Sequence, residues 1–347
     1  MSVRARLIAF ALGAVLCGSW YFFFLASAPV AVRPAISFEV SPGASASAVI
    51  DELEERGIVR SAAIVTFIAR MSGADREFRY GTHEFFGALT PERVLEELLR
   101  TPTPTIRVTI PEGMTSYEVG KLLENAKIVQ ASDYREAVCD VELLGKLAIP
   151  DGSNCAEGYL FPDTYELAPG MEAPQIVRLQ INRFREVAAA LWTEHDSVRR
   201  DRGGGAQPPE PATMSLHETV VLASIIEKET SRADERPLVS SVFHNRLRRD
   251  MRLQADPTVI YGLKVAGKSW DGDGLHIHLR EHGPYNTYTS DGLPPGPICN
   301  PGRESLEAAL FPAETDYLYF VANGNGSHRF SKTLADHNRA VAQLRTR

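Results

Sequence analysis

The stretch Ser215-Leu-His-Glu-Thr-Val-Val-Leu-Ala-Ser-Ile-Ile-Glu-Lys-Glu-Thr230 decides how the second half of the chain is read. Ser215 with Glu218 three residues on is a reciprocal capping pattern, which satisfies two orphan N–H groups at a helix start. Val220 to Ile226 is apolar on nearly every face, which puts the helix inside a domain. Glu227 follows at the end of that helix, on the face of Ala223 and Ser224, so small side chains are expected beside its carboxyl. Such a face suits the floor of a cleft, and a carboxyl there is expected to keep its proton near neutrality, as a general acid must. Glu229 falls nearer Leu222, Ile225 and Ile226, aliphatics that would crowd a ligand, so Glu227 is the expected chemical group. The plain alternative is that both acids lie past the last buried turn and are solvated.

Around this helix the chain has 347 residues, 44% hydrophobic, enough for two or three folded units. Arg4 and Arg6 precede an uncharged stretch from Leu7 to Val32, long enough to cross a bilayer once. Ala26-Ser27-Ala28 resembles a cleavage site, yet the apolar run exceeds that of a cleaved signal. The expectation is an uncleaved anchor over 7–28, its N-terminus cytoplasmic and the rest exported from the inner membrane. Cys139 and Cys155 can pair in an oxidising exported compartment. A formal charge of −7 with no basic stripe excludes a nucleic-acid partner.

The expected fold class is α+β: the anchor, a small α/β module, then a mixed helical and small-sheet domain. At an offset of 70 the chain matches itself: Val40-Ser-Pro-Gly, Val49, Leu53-Glu54 and Ile58-Val59 align with Ile110-Pro-Glu-Gly, Val119, Leu123-Glu124 and Ile128-Val129. Each copy reads as a strand, a Gly turn, a helix opened by Ser or Thr, and a return. The first module (34–100) continues through a helix over Ala62–Ser72 and a strand over Arg79–Phe86, and the second occupies 106–150. Thr101-Pro-Thr-Pro-Thr is a stiff linker (101–105), and 201–213, with three consecutive glycines, is a flexible loop. Helices are expected over 174–199 and from Pro237, with a strand at Tyr317–Val321, a short return strand and a last helix from Leu334.

Three loop segments mix aromatic and amide or carboxylate groups as sugar sites do: Leu253–Thr258, Tyr285–Tyr288 with Gly292–Gly296, and Ser327–Phe330. Taken singly, each could be an ordinary turn, and Asp256-Pro257 could simply start a helix. His276, His278 and His282 with Asp271 and Asp273 lack the spacing of zinc or calcium sites, so no metal is expected. Serine-hydrolase and phosphate-cradle motifs are absent, and no cofactor is expected.

The chain resembles the endolytic murein transglycosylase (MltG/YceG-like) family through EGYLFPDTY (157–165), ASIIEKET (223–230), VFHNRL (242–247), MRLQADPTVIYG (251–262), YNTY (285–288), GLPPGPICNPG (292–302) and YLYFVANGNGSHRFSKTLADHN (317–338). The likeness runs over nearly the whole length, with a LysM-like module at 34–100 and a YceG-like catalytic domain at 106–347. It implies Glu227 as the catalytic glutamate and Gln254, Asp256, Tyr285, Asn286, Tyr288, His328 and Phe330 as substrate-binding. It also implies a lyase that cuts the MurNAc–GlcNAc bond in nascent peptidoglycan strands, leaving 1,6-anhydroMurNAc ends, with penicillin-binding proteins among its partners. One glutamate would serve as acid and then as base, which accounts for the lack of an obvious second carboxylate. Two alternatives stand beside this: a muramidase using Glu227 with Asp256, and a non-catalytic membrane-tethered glycan-binding scaffold.

Overall fold

In the computed structural model, Ser215 accepts from the Glu218 N–H while the Glu218 carboxylate accepts from the Ser215 N–H at 2.7 Å, so the capping box closes. Residues 27–41, 43–101, 105–147, 155–202, 214–268 and 274–345 are described. The anchor expected at 7–28 lies outside the described residues except for Ser27 and Ala28. Among the described residues no helix is long and apolar enough to cross a membrane. Residues 102–104 of the linker and 203–213 of the loop also lie outside, and Asp201 and Arg202 are the end of a helix.

The chain is α+β and divides between Thr105 and Ile106 into two units. The first runs β1 (Val30–Val40), α1 (Ala46–Glu55), α2 (Ala62–Ser72), β2 (Gly81–Leu89) and α3 (Pro91–Leu99). β1 and β2 pair antiparallel, Phe38 opposite His83 and Val30 opposite Leu89. Alternation buries Phe38 and Val40 on one face, where they meet Val49, Ile50 and Leu53 of α1 and Val94 and Leu98 of α3.

The second unit opens with β3 (Ile106–Thr109), α4 (Ser116–Asn125), α5 (Ala131–Val138), α6 (Val141–Lys146) and β4 (Thr164–Leu167), which returns antiparallel to β3. Cys139 and Cys155 are disulfide-bonded. The two copies share local chemistry. Ser45 and Thr115 each cap a helix, and Gly57 (φ +70°) and Lys127 (φ +58°) each end it in the left-handed region. The following N–H groups of Ile58 and Ile128 then bond back to Leu53 O and Leu123 O. The Ile-Val pairs thus sit in helix-ending turns.

Next come α7 (Ala173–Arg202), α8 (Leu216–Glu229), α9 (Arg236–Leu247), α10 (Asp256–Val265), α11 (Leu275–His278), α12 (Arg303–Leu310), β5 (Tyr319–Ala322), β6 (His328–Ser331) and α13 (Leu334–Arg345). Helix α8 is the axis of the core, with Val220, Leu222, Ala223, Ile225 and Ile226 fully buried. The small face of α8 is not a cleft floor as expected from sequence. Segment 292–302 lies on it, with the Ile298 N–H on Ser224 Oγ at 3.0 Å and Cys299 Sγ on Ser224 O at 3.3 Å. The segment is pinned by Asn300, whose Oδ1 accepts from the Gly158 and Leu160 N–H groups and whose Nδ2 donates to Met114 O and Glu157. Gly158 (φ +85°) has no alternative there, because a Cβ would come within 2.4 Å of Pro297.

Candidate active site

Helix α8 delivers two carboxyls from its last turn into different surroundings. Glu227 Oε2 accepts from the Gly302 N–H at 3.1 Å and the Ser305 hydroxyl at 2.7 Å. Its Oε1 lies 3.5 Å from the Arg236 guanidinium, and its side chain is 7% exposed. Gly113 (φ +77°) packs against Glu227 Cγ where a Cβ would sit at 3.4 Å. This corrects the apolar setting expected from sequence: every polar partner of Glu227 is a donor. Beside it is Glu112, whose carboxyl burial and then the Glu227 charge push upward, Arg236 acting against them.

Glu229 keeps a partly exposed edge and accepts no hydrogen bond from a described residue. Burial first, then the Asp256 charge, push its carboxyl up to about 8, while Arg246 pulls it down. Arg246 is a buried cation fixed from four sides: Nε donates to Leu318 O at 2.7 Å, Nη1 to Leu253 O at 2.8 Å and to Arg252 O, and the Tyr319 ring lies 5.2 Å away. The same Nη1 reaches Gln254 Oε1 at 3.4 Å.

Of the residues expected from sequence, three gather around Glu229 and Arg246. Asp256, exposed at the start of α10, accepts from the Tyr288 hydroxyl at 2.6 Å. Gln254 is exposed and held at φ +52°, a conformation that costs a non-glycine residue of order 1–2 kcal/mol. Its N–H bonds to Thr287 O, so loop 285–288 fixes the strained residue. The Tyr288 phenol is raised by burial and then by its bond to Asp256.

The others have structural partners. Asn286 is buried, with Nδ2 on His278 O, Leu279 O and Glu281 O and Oδ1 on the Tyr288 N–H, so every arm of its amide is spent within the loop. Tyr285 meets Tyr261 edge-on at 5.0 Å. His328 donates its N–H to Glu235 at 3.0 Å and has Nδ1 2.7 Å from the same carboxylate. Phe330 packs with Tyr317 and Phe320.

Sequence reasoning passed over Glu229 and did not mark Arg246, Glu235, Arg236 or Glu157. Arg246 left one signal, a cation one residue before Leu247 on the apolar stripe of α9. Glu157 is 7% exposed and accepts from Ser116 N–H, Ser116 Oγ and Asn300; burial raises its carboxyl to about 7 against those donors.

Residues 38–343 match the YceG-like family. The chain is 29% identical over 322 residues to an endolytic murein transglycosylase of Bacillus subtilis, spanning 89% of this chain and 84% of that protein. It is 26% identical over 334 residues to an endolytic murein transglycosylase of Streptococcus pneumoniae, spanning 89% of this chain and 58% of that protein. The crystal structure of a YceG-like protein of Listeria monocytogenes aligns with a TM-score of 0.58 at 30% identity, covering 89% of this chain and 100% of that one. With the match running through both units and across the whole of the site, the chain belongs to the YceG-like family.

Proposed function

We propose that this protein is an endolytic lytic transglycosylase of peptidoglycan, a lyase, and that Glu229 at the end of α8 is its acid and base. The observation that carries the assignment is the place of Glu229, in the last turn of buried α8 at a partly exposed edge where the charges of Asp256 and Arg246 act on it, with burial pushing its carboxyl up. Glu227, the residue singled out from sequence, already has its carboxylate engaged by the Gly302 N–H, the Ser305 hydroxyl and the Arg236 guanidinium.

Protonated Glu229 gives its proton to the MurNAc–GlcNAc oxygen as the bond to C1 breaks. The buried Arg246 charge favours the carboxylate this leaves, and Asp256, held by Tyr288, faces the positive charge that develops at C1. The MurNAc 6-hydroxyl then closes on C1, and Glu229 takes its proton. The acid is restored, one bond forms for one broken, and no water is consumed.

Incubation of the protein with purified glycan strands is expected to give internal fragments ending in 1,6-anhydroMurNAc by mass spectrometry. Glu229→Gln is expected to lower that rate by about 10²–10⁴-fold. Asp256 beside Glu229 favours a second reading, the muramidase, which reducing ends in place of anhydro ends would establish.

The reading extends to the rest of the chain by resemblance. Residues 7–28 anchor it once in the inner membrane with its N-terminus cytoplasmic, the LysM-like module at 34–100 holds glycan, and wall-synthesis enzymes such as penicillin-binding proteins are its partners.

A further inference from the structure

We infer that Arg236 is a positioning residue for the reaction, acting on Glu229 by clamping Glu227; this rests on Glu229 being the acid. Arg236 opens α9 and is buried. Its guanidinium faces carboxylates from three separate segments: Glu227 of α8 at 3.5 Å, Glu112 of the β3–α4 loop at 3.7 Å, and Glu304 of α12, the closest. Its Nε is buried with no hydrogen-bond partner among the described residues. Three carboxylates on one desolvated guanidinium is a costly arrangement compared with apolar packing, so its value lies in geometry.

The geometry it supplies is what Glu229 lacks. The last backbone bond of α8 runs from the Thr230 N–H to Ile226 O at 3.3 Å, and the carbonyls of the final turn have no helical partner. The Glu229 carboxyl accepts no hydrogen bond from a described residue, so it inherits its place from the helix backbone. Two residues earlier, Glu227 is tied to Arg236, Gly302 and Ser305, fastening the same turn to α9 and α12. The next-door residue Glu235 holds His328 of β6. Gly302 leaves the Glu112 carboxyl its place beside the clamp, since a Cβ there would meet that carboxyl at 2.0 Å and turn the side chain away.

The test measures kcat and KM for anhydro-end formation, the pH profile and thermal melting in the full chain for Arg236→Gln, Arg236→Lys, Glu227→Gln and Ser305→Ala. Arg236→Gln and Glu227→Gln are each expected to lower kcat roughly 30- to 100-fold with KM within about twofold, the scale of an ångström's misplacement. Both should displace the alkaline limb, because Glu229 shifts relative to Asp256. Arg236→Lys should recover part of kcat, and the double variant should be no worse than either single one. Ser305→Ala leaves no unpaired buried charge and should give a smaller fall in the same direction, which keeps the test decisive if the charge variants do not fold. Unchanged kcat and an unchanged limb with only lowered melting temperatures would overturn the inference. Loss of all activity in Glu227→Gln with activity kept in Glu229→Gln would instead overturn the choice of Glu229.

Discussion

Glu227 and Glu229 are separated by one lysine, and the chemistry available to each is set by what packs over its end of α8. Local periodicity assigned them by their neighbours three and four residues back, and it chose the wrong environment for a physical reason. The small face of Ala223 and Ser224 is the seat of segment 292–302, a contact across more than 70 residues that no helical period contains. What was legible was that an acid stands at the end of a buried helix; that Gln254, Asp256 and Tyr288 lie close to one another is a matter of the fold. The Glu229 shift has a consequence for stability whose sign can be fixed. Its folded value, about 8, lies above the 4.5 of an ordinary glutamate, so the folded state binds more protons between these limits and stability falls as pH rises through that window. Glu157, raised to about 7, adds to the same trend over 4.5 to 7. Glu229→Gln, neutral at every pH, is therefore expected to be more stable than the parent at pH 8.5 by roughly 1–3 kcal/mol and to match it at pH 4. Urea unfolding at the two pH values checks this, and a constant difference would show that the carboxyl is not held protonated by its surroundings.

At the scale of elements, helix starts were the most legible features, because a cap is decided by residues within one turn. Ser215 with Glu218 gave α8 to the residue, and the Ser45 and Thr115 equivalence at an offset of 70 marked two helices of matching design. Helices α3, α5, α6, α11 and α12 are not read from sequence, and neither is the way Asn286 staples its own loop. Such roles depend on partners brought by the fold, here three carbonyls of 278–281. The duplicated design also exposes an imperfection. Where the first copy ends α1 with Gly57 at φ +70°, the second uses Lys127 at φ +58°. Glycine carries no Cβ penalty in this region, so Lys127→Gly is expected to raise stability by about 0.5–1 kcal/mol without altering activity. A lower urea midpoint for this variant would mean that the Lys127 side chain contributes more than its backbone costs.

Across the whole molecule, the described residues form two buried apolar clusters, one in each unit. The first draws on Val32 to Leu98, the second on Val108 to Ala309, and the division falls between Thr105 and Ile106. Every group placed in the chemistry, from Glu112 to His328, belongs to the second unit, as does the Cys139–Cys155 bond. Burial of apolar side chains is the dominant favourable term in folding, and a unit that buries its own set has what it needs to fold alone. Residues 106–347 are therefore expected to fold cooperatively and to form anhydro ends on short soluble glycan strands with kcat/KM within about threefold of residues 27–347. On long strands the shorter protein should lose affinity, with KM raised and kcat unchanged, if the first unit holds glycan. Calorimetry and product analysis on the two proteins separate these claims. Failure of 106–347 to fold would show that the units depend on each other, and equal KM on long strands would remove glycan binding from the first unit.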